Sequence, residues 1–263
     1  MTIHTVFGTN VGGAWDNDWM CGRFVVAGAT ADLVAMFDVD RVADDLPAPS
    51  FNIAPTDRIS IVLDTVPKDA AEFDEPTRRL EAARWGLVPP WAKDPKVGVT
   101  AFNARVETAA EKSHFSNAVK KRRAVVPATG YYEWKTVDGV KTPQFIYLPD
   151  GEPFVFAALY EWWRNPEAAA DSPDKWLLSS SVLTREATGR LAGIHDRMPV
   201  FLSPELIDEW LDPHTEGGTE LLDEVSYGGI EVEERVQFHE VDRAVGNVRN
   251  NTPSLIEPVA GVD

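Results

Sequence analysis

Four short polar clusters, each set among apolar residues, carry the side chains of this 263-residue chain that can do chemistry. They are Cys21-Gly22-Arg23, Asn103-Ala104-Arg105, Tyr132-Glu133-Trp134 and His195-Asp196-Arg197. Cys21 is the one cysteine, and Met20 stands directly before it. If translation starts at Met20, or if the segment ahead of Cys21 is cut away, Cys21 gains a free α-amine beside its thiol. Such an amine titrates near ~7.7–8.0, so an appreciable fraction is neutral and nucleophilic at neutral pH. It can condense with an aldehyde to a Schiff base, and the thiolate can then close a five-membered thiazolidine. A cysteine inside a chain has no amine and cannot do this. The ordinary fate of a lone cysteine is burial as a small hydrophobe. Taken singly, the other clusters also have structural readings. Glu133 fits a strand residue facing water. His195 fits a turn residue in an ion-pair network with its neighbours, and Asn103 a turn former.

The elements that must hold these clusters are short. Residues 24–27 read as a strand, and Thr30 as the cap of a helix with Leu33, Val34 and Phe37 on one face. Further strands are predicted at 59–63, 123–127, 130–134, 145–148, 154–159, 176–183 and 236–241. Residues 67–77 are charged and read as a surface loop. Residues 84–93 read as a rigid aromatic segment whose two prolines exclude a central strand. Residues 102–107 lead into a polar helix around 111–121. Ser203-Pro204 opens a helix with Leu206, Ile207, Trp210 and Leu211 inward. Strands and helices do not alternate, which predicts an α+β fold: a single domain with a mixed, barrel-like β-sheet and peripheral helices. The expected division is 1–19 as a disordered or cleaved leader, 20–258 as the domain and 259–263 as a tail.

Composition narrows the function classes. No apolar run reaches the roughly 18 residues that span a bilayer, and residues 1–19 lack the basic start and apolar stretch of a signal peptide. A single cysteine excludes an intramolecular disulfide and a cysteine-cluster metal site, and the scattered histidines show no metal-ligand spacing. No cofactor or metal is expected, and a reducing cytoplasm fits. The net charge is −17, from 42 acids against 25 bases, which by itself argues against a nucleic-acid partner. Arginines outnumber lysines 16 to 9. An acidic, lysine-poor surface is what a very salty cytoplasm favours, where salt screens self-repulsion.

Seven motifs in order carry a further implication. Met20-Cys21-Gly22-Arg23, Phe51-Asn52-Ile53-Ala54-Pro55-Thr56, Arg84-Trp85-Gly86-Leu87-Val88-Pro89, Asn103-Ala104-Arg105, Val126-Pro127-Ala128, Gly130-Tyr131-Tyr132-Glu133-Trp134 and Ile194-His195-Asp196-Arg197-Met198-Pro199 resemble the SRAP family. These are the SOS response-associated peptidase, or abasic-site processing, proteins. Val248-Arg249-Asn250-Asn251 and Ile256-Glu257-Pro258 resemble the family's C-terminal end, so the likeness covers 20–258. It implies a protein, acting as a monomer, that captures abasic sites in single-stranded DNA as a thiazolidine crosslink, in the cytoplasm at the nucleoid. By the same resemblance Cys21 is the nucleophile and Asn103 orients the cysteine and sugar oxygens. Glu133 is the acid/base, and His195 helps open the sugar ring and assists reversal. Arg23, Arg105 and Arg197 suit phosphate oxygens. Trp85 and Pro89 can stack on flanking bases, or Trp85 can pack in the core.

The chain departs from the family in one respect: nineteen residues precede Met20, where members begin Met-Cys. The crosslinking chemistry requires their removal or a start at Met20. Two other readings compete. A cysteine peptidase would use Cys21, His195 and Asn103, with self-processing its expected activity. A non-covalent reader of modified or single-stranded DNA would bind unchanged by loss of Cys21.

Overall fold

The computed structural model describes residues 21–66 and 75–259, with Asp150 described by its backbone alone. Strand β1 (Phe24–Val26) opens the chain, followed by helix α1 (Thr30–Phe37), β2 (Arg41–Val42), β3 (Ser50–Ile53), β4 (Arg58–Thr65) and β5 (Thr77–Trp85). Next come β6 (Asn103–Arg105), α2 (Val106–Ala109), α3 (Ser116–Lys121), β7 (Arg123–Ala128), β8 (Gly130–Val137) and β9 (Val140–Tyr147). The long strands β10 (Phe154–Arg164) and β11 (Trp176–Glu186) lead to β12 (Arg197–Pro199), α4 (Pro204–Leu211), α5 (Thr219–Gly228), α6 (Ile230–Glu234) and β13 (Gln237–Glu240).

Five strands close a ring. The order β11-β10-β7-β4-β5 is joined end to end because β5 also pairs with β11, at Ser179↔Arg84 and Ser180↔Trp85. That last pairing is parallel and the others are antiparallel, so this is the mixed barrel that the sequence predicts. Closure removes the exposed edges that an open sheet would carry. A second sheet, β13-β9-β8-β1-β3, covers one side. Apolar residues of β4, β7, β10 and β11, with Phe24, Trp85 and Tyr131, fill the main core. The helices pack a second core against the outer face.

Local chemistry explains several boundaries. Asp138 and Gly139, both at positive φ, make the two-residue turn that joins β8 to β9. Gly86 has φ +132°, and a Cβ there would lie 2.3 Å from the Gly98 carbonyl oxygen. No other residue allows that crossing directly after β5. Four expectations need correction. Ala29, not Thr30, occupies the cap position of α1, and its N–H donates to Asp32. Arg84 and Trp85 belong to a barrel strand, which ends before the prolines. Of the predicted polar helix at 111–121 only α3 is helical, and the residues before it form turns. Of the expected loop at 67–77, residues 67–74 lie outside the described residues, and Thr77 already begins β5. The expected leader also lies outside them. Val259 still donates its N–H to Glu240, so the described residues run one residue into the expected tail.

Candidate active site

Strand β1 lies between β3 and β8, with Phe24 opposite both Ile53 and Tyr131. This register sets Cys21 beside Glu133. The main-chain nitrogen of Cys21 donates to Glu133 Oε1 across 2.6 Å, and the thiol also hydrogen-bonds the carboxylate. Both residues are buried, 5% and 4% exposed. Cys21 has φ +46°, a left-handed conformation that costs an L-residue about 1–2 kcal/mol. Burial, reinforced by the Glu133 charge, pushes the Cys21 thiol well above its usual range. Burial likewise raises the Glu133 carboxyl, opposed by the positive field of His195 and by the Cys21 hydrogen bonds. Glu133 is therefore a stronger base than an exposed carboxylate, in direct contact with the nitrogen that would have to lose a proton.

His195 follows the short turn Leu191–Gly193 and is half-buried. Arg197 and Asp196 also act on the Cys21 thiol, so this loop closes over the same place. Asn103 stands on β6, opposite Val182 of β11. Trp85 links the two sides from below. Its ring meets Phe24 edge-on at 4.9 Å and Phe102 at 5.6 Å, and its Nε1 donates to the Phe102 carbonyl.

That placement corrects the stacking expectations. Trp85 is 1% exposed and Pro89 is buried, so neither presents a face to a base; Trp85 packs under the site. Arg23 donates to Asn52 Oδ1 and to the Val245 carbonyl, both at 2.8 Å. Arg197 makes a two-point pair with Glu107, at 2.6 and 2.9 Å, and a third bond to the Thr184 carbonyl. Both forks are engaged by the protein itself. Arg105 is exposed and has no side-chain partner among the described residues. Reasoning from the sequence missed Trp91, which is 60% exposed and meets His114 edge-on at 6.1 Å. Its signal was available: a tryptophan directly after two prolines cannot continue a core strand. Among the described residues no cluster of His, Cys, Asp and Glu could hold a metal ion. No helix there is long and apolar enough to cross a membrane.

A closed mixed barrel with a buried cysteine–glutamate pair at its covering sheet defines a class. The family model for SOS response associated peptidase (SRAP) matches residues 20–248. The chain belongs to that family. Abasic site processing protein YoqW of Bacillus subtilis (strain 168) is 35% identical over 241 residues, covering 90% of this chain and 99% of that one. Abasic site processing protein YedK of Escherichia coli (strain K12) is 34% identical, over 91% of this chain and 100% of its own. A crystal structure of a Bacteroides thetaiotaomicron protein matches with a TM-score of 0.73 at 19% identity, covering 91% of this chain and 100% of that one, a likeness of fold.

Proposed function

We propose that this protein, acting as a monomer, captures abasic sites in single-stranded DNA by forming a thiazolidine through Cys21 as first residue. The single observation that carries the reading is the 2.6 Å contact between the Cys21 nitrogen and the Glu133 carboxylate in a buried setting. The ring-opened abasic sugar is an aldehyde. The Cys21 amine adds to its carbon, and Glu133 takes a proton from nitrogen and returns one to the carbinolamine hydroxyl. That hydroxyl leaves as water, giving the Schiff base. The thiol then adds across the C=N bond: sulfur bonds to carbon, and the thiol proton passes by way of Glu133 to nitrogen. One water is released and nothing is oxidised. His195, whose field reaches Glu133, serves as proton donor to the ring oxygen during opening. Asn103 orients the cysteine and sugar oxygens.

Arg105 is the phosphate ligand in this reading. Trp91 replaces Trp85 and Pro89 as the stacking residue, and Trp91→Ala should weaken single-stranded DNA binding by about 1–3 kcal/mol in a fluorescence titration. The family's printed name supports a second activity, self-cleavage ahead of Cys21. The nitrogen of the bond to be cut is the one Glu133 contacts, and the residue after it holds a left-handed conformation.

The test is a chain beginning at Cys21, mixed with single-stranded DNA bearing one abasic site. A denaturant-resistant adduct without added reductant is expected, and Cys21→Ala should abolish it. A normal adduct yield from Cys21→Ala would exclude the thiazolidine.

A further inference from the structure

Gln144 of β9 lies directly opposite Glu133 of β8. Residues directly opposite in an antiparallel pair project from the same face, with Cβ atoms about 4.5–5.5 Å apart. On its other side Gln144 is paired with Glu240 of β13. One row across the covering sheet therefore reads Glu133, Gln144, Glu240. The row faces the barrel, because Tyr131 and Ile146, two positions from Glu133 and Gln144, join the main core from that face. The chain leading to His195 crosses the same face. Leu191 and Ile194 enter the main core, and the Arg190 guanidinium lies 5.2 Å from the centre of the Phe238 ring. Phe238 is paired with Ile146. Glu133 and Gln144 thus form a floor under the loop that ends at His195.

Gln144 is 6% exposed, and a buried amide normally has its hydrogen bonds made. Here one is made, and it is long: Nε2 donates to Thr142 Oγ1 across 3.4 Å. The amide oxygen and the second amide hydrogen have no partner among the described residues. No hydrogen bond joins Gln144 to Glu133, whose Oε1 accepts from the Cys21 nitrogen. The amide therefore offers an acceptor and a donor side by side, next to the carboxylate that contacts Cys21.

An abasic sugar inside a strand keeps its 3′ and 5′ oxygens as phosphate esters. Once the ring opens, its one free hydroxyl is on C4. A hydroxyl is donor and acceptor at once, which matches what the Gln144 amide has left. We propose that Gln144 is a substrate-binding residue that takes the C4 hydroxyl of the opened sugar and holds the aldehyde carbon toward Cys21. The proposal rests on the thiazolidine reading and adds to it a residue that selects the open sugar. The closed ring has no hydroxyl on C4, so the contact favours the form that reacts. A site that hydrogen-bonds a substrate hydroxyl also discriminates against an analogue lacking it.

The experiment offers two strands to the chain beginning at Cys21. One carries an abasic site. The other carries an unbranched, hydroxyl-free aldehyde linker in place of the sugar. The readout is the ratio of the two crosslinking rates, from which any loss of folded protein cancels. The wild-type ratio, abasic site over linker, should exceed that of Gln144→Leu by about three- to ten-fold, the range of one neutral hydrogen bond. Gln144→Met, as long as glutamine but without the amide, should behave like Gln144→Leu. A ratio that neither variant changes overturns the proposal, even if both rates fall, because Gln144 then acts through Glu133 or the fold. The two readings fail differently. A wild-type protein that forms no Cys21-dependent adduct on either strand sinks the thiazolidine reading and this proposal with it. A Cys21-dependent adduct with an unchanged ratio sinks the role of Gln144 alone.

Discussion

Glu133 and Glu161 are buried to nearly the same degree, 4% and 2% exposed, and burial pushes both carboxyls upward. Their surroundings differ. Glu161, on β10, pairs with Arg122 at 3.0 Å and accepts from Asn117 and from the main-chain N–H of Trp162. Glu133, on β8, has no arginine or lysine partner among the described residues. It contacts the nitrogen and thiol of Cys21, and His195 supplies a field without an ion pair. Burial of a carboxylate is costly unless it is paired. At Glu161 an arginine offsets that cost and ties α3 to the barrel. At Glu133 the cost stays, and the raised affinity for a proton remains available to whatever sits at Cys21. Equal burial thus yields a structural residue in one place and a reactive one in the other.

The sharpest way to break this comparison is to make the same change at both. Glu133→Gln keeps the shape but cannot carry a proton, so crosslinking should slow by about 10²-fold or more. Glu161→Gln should leave the rate within about two-fold. Single-turnover crosslinking on abasic single-stranded DNA decides it; comparable slowing by both would show that the site depends on general integrity rather than on Glu133.

Stability should respond the other way. Glu161→Gln leaves a partly buried Arg122 without its counter-charge, at a cost of about 1–3 kcal/mol in urea unfolding. A Glu161→Gln protein as stable as wild type would mean that the pair with Arg122 contributes nothing.

Much of this was legible in the sequence, and the limits have physical causes. The reactive residues lie in short contiguous motifs, and β7, β8, β10 and β11 show as apolar runs, so the α+β barrel could be predicted. Barrel closure could not, because the β5–β11 pairing joins Arg84 to Ser179 across nearly a hundred residues with no local pattern to mark it. The same pairing buries Trp85 while the following Pro89-Pro90 leaves Trp91 outside. Residue type alone cannot separate two tryptophans that are six positions apart. Arginine forks pose a related problem: nothing local in the sequence marks the distant partners Asn52, Val245 and Glu107 that Arg23 and Arg197 hold.

A further test follows the acid limb of the crosslinking rate. Glu133 must be ionised to accept the proton of the amine, and its carboxyl is raised by burial. The rate should therefore begin to fall at a pH above the ordinary carboxylate range of about 4.3, and this limb should be absent from the residual activity of Glu133→Gln. A limb at the ordinary carboxylate pH would indicate that Glu133 is solvated during the reaction.

The smallest effect is on the pH dependence of folding, where the two raised carboxyls act in the same direction. A carboxyl whose pKa is raised by folding favours the native state while protonated. That contribution is fully present below the unfolded-state value and is lost as pH rises through the folded-state value. At neutral pH wild type therefore carries a buried Glu133 whose ionisation works against folding. Glu133→Gln removes the charge while Gln can still accept the Cys21 N–H, so its melting temperature should exceed that of wild type at pH 7. The gain should shrink toward zero as pH falls below the ordinary carboxylate range, where wild-type Glu133 is protonated as well. Burial raises the Glu161 carboxyl as well, so the gap between wild type and Glu161→Gln should follow the same pH trend, offset at pH 7 by the loss of the Arg122 counter-charge. Melting curves of the three proteins across the acid-to-neutral range would show this trend. A Glu133→Gln protein less stable than wild type at pH 7 would mean that Glu133, like Glu161, is held there for the fold.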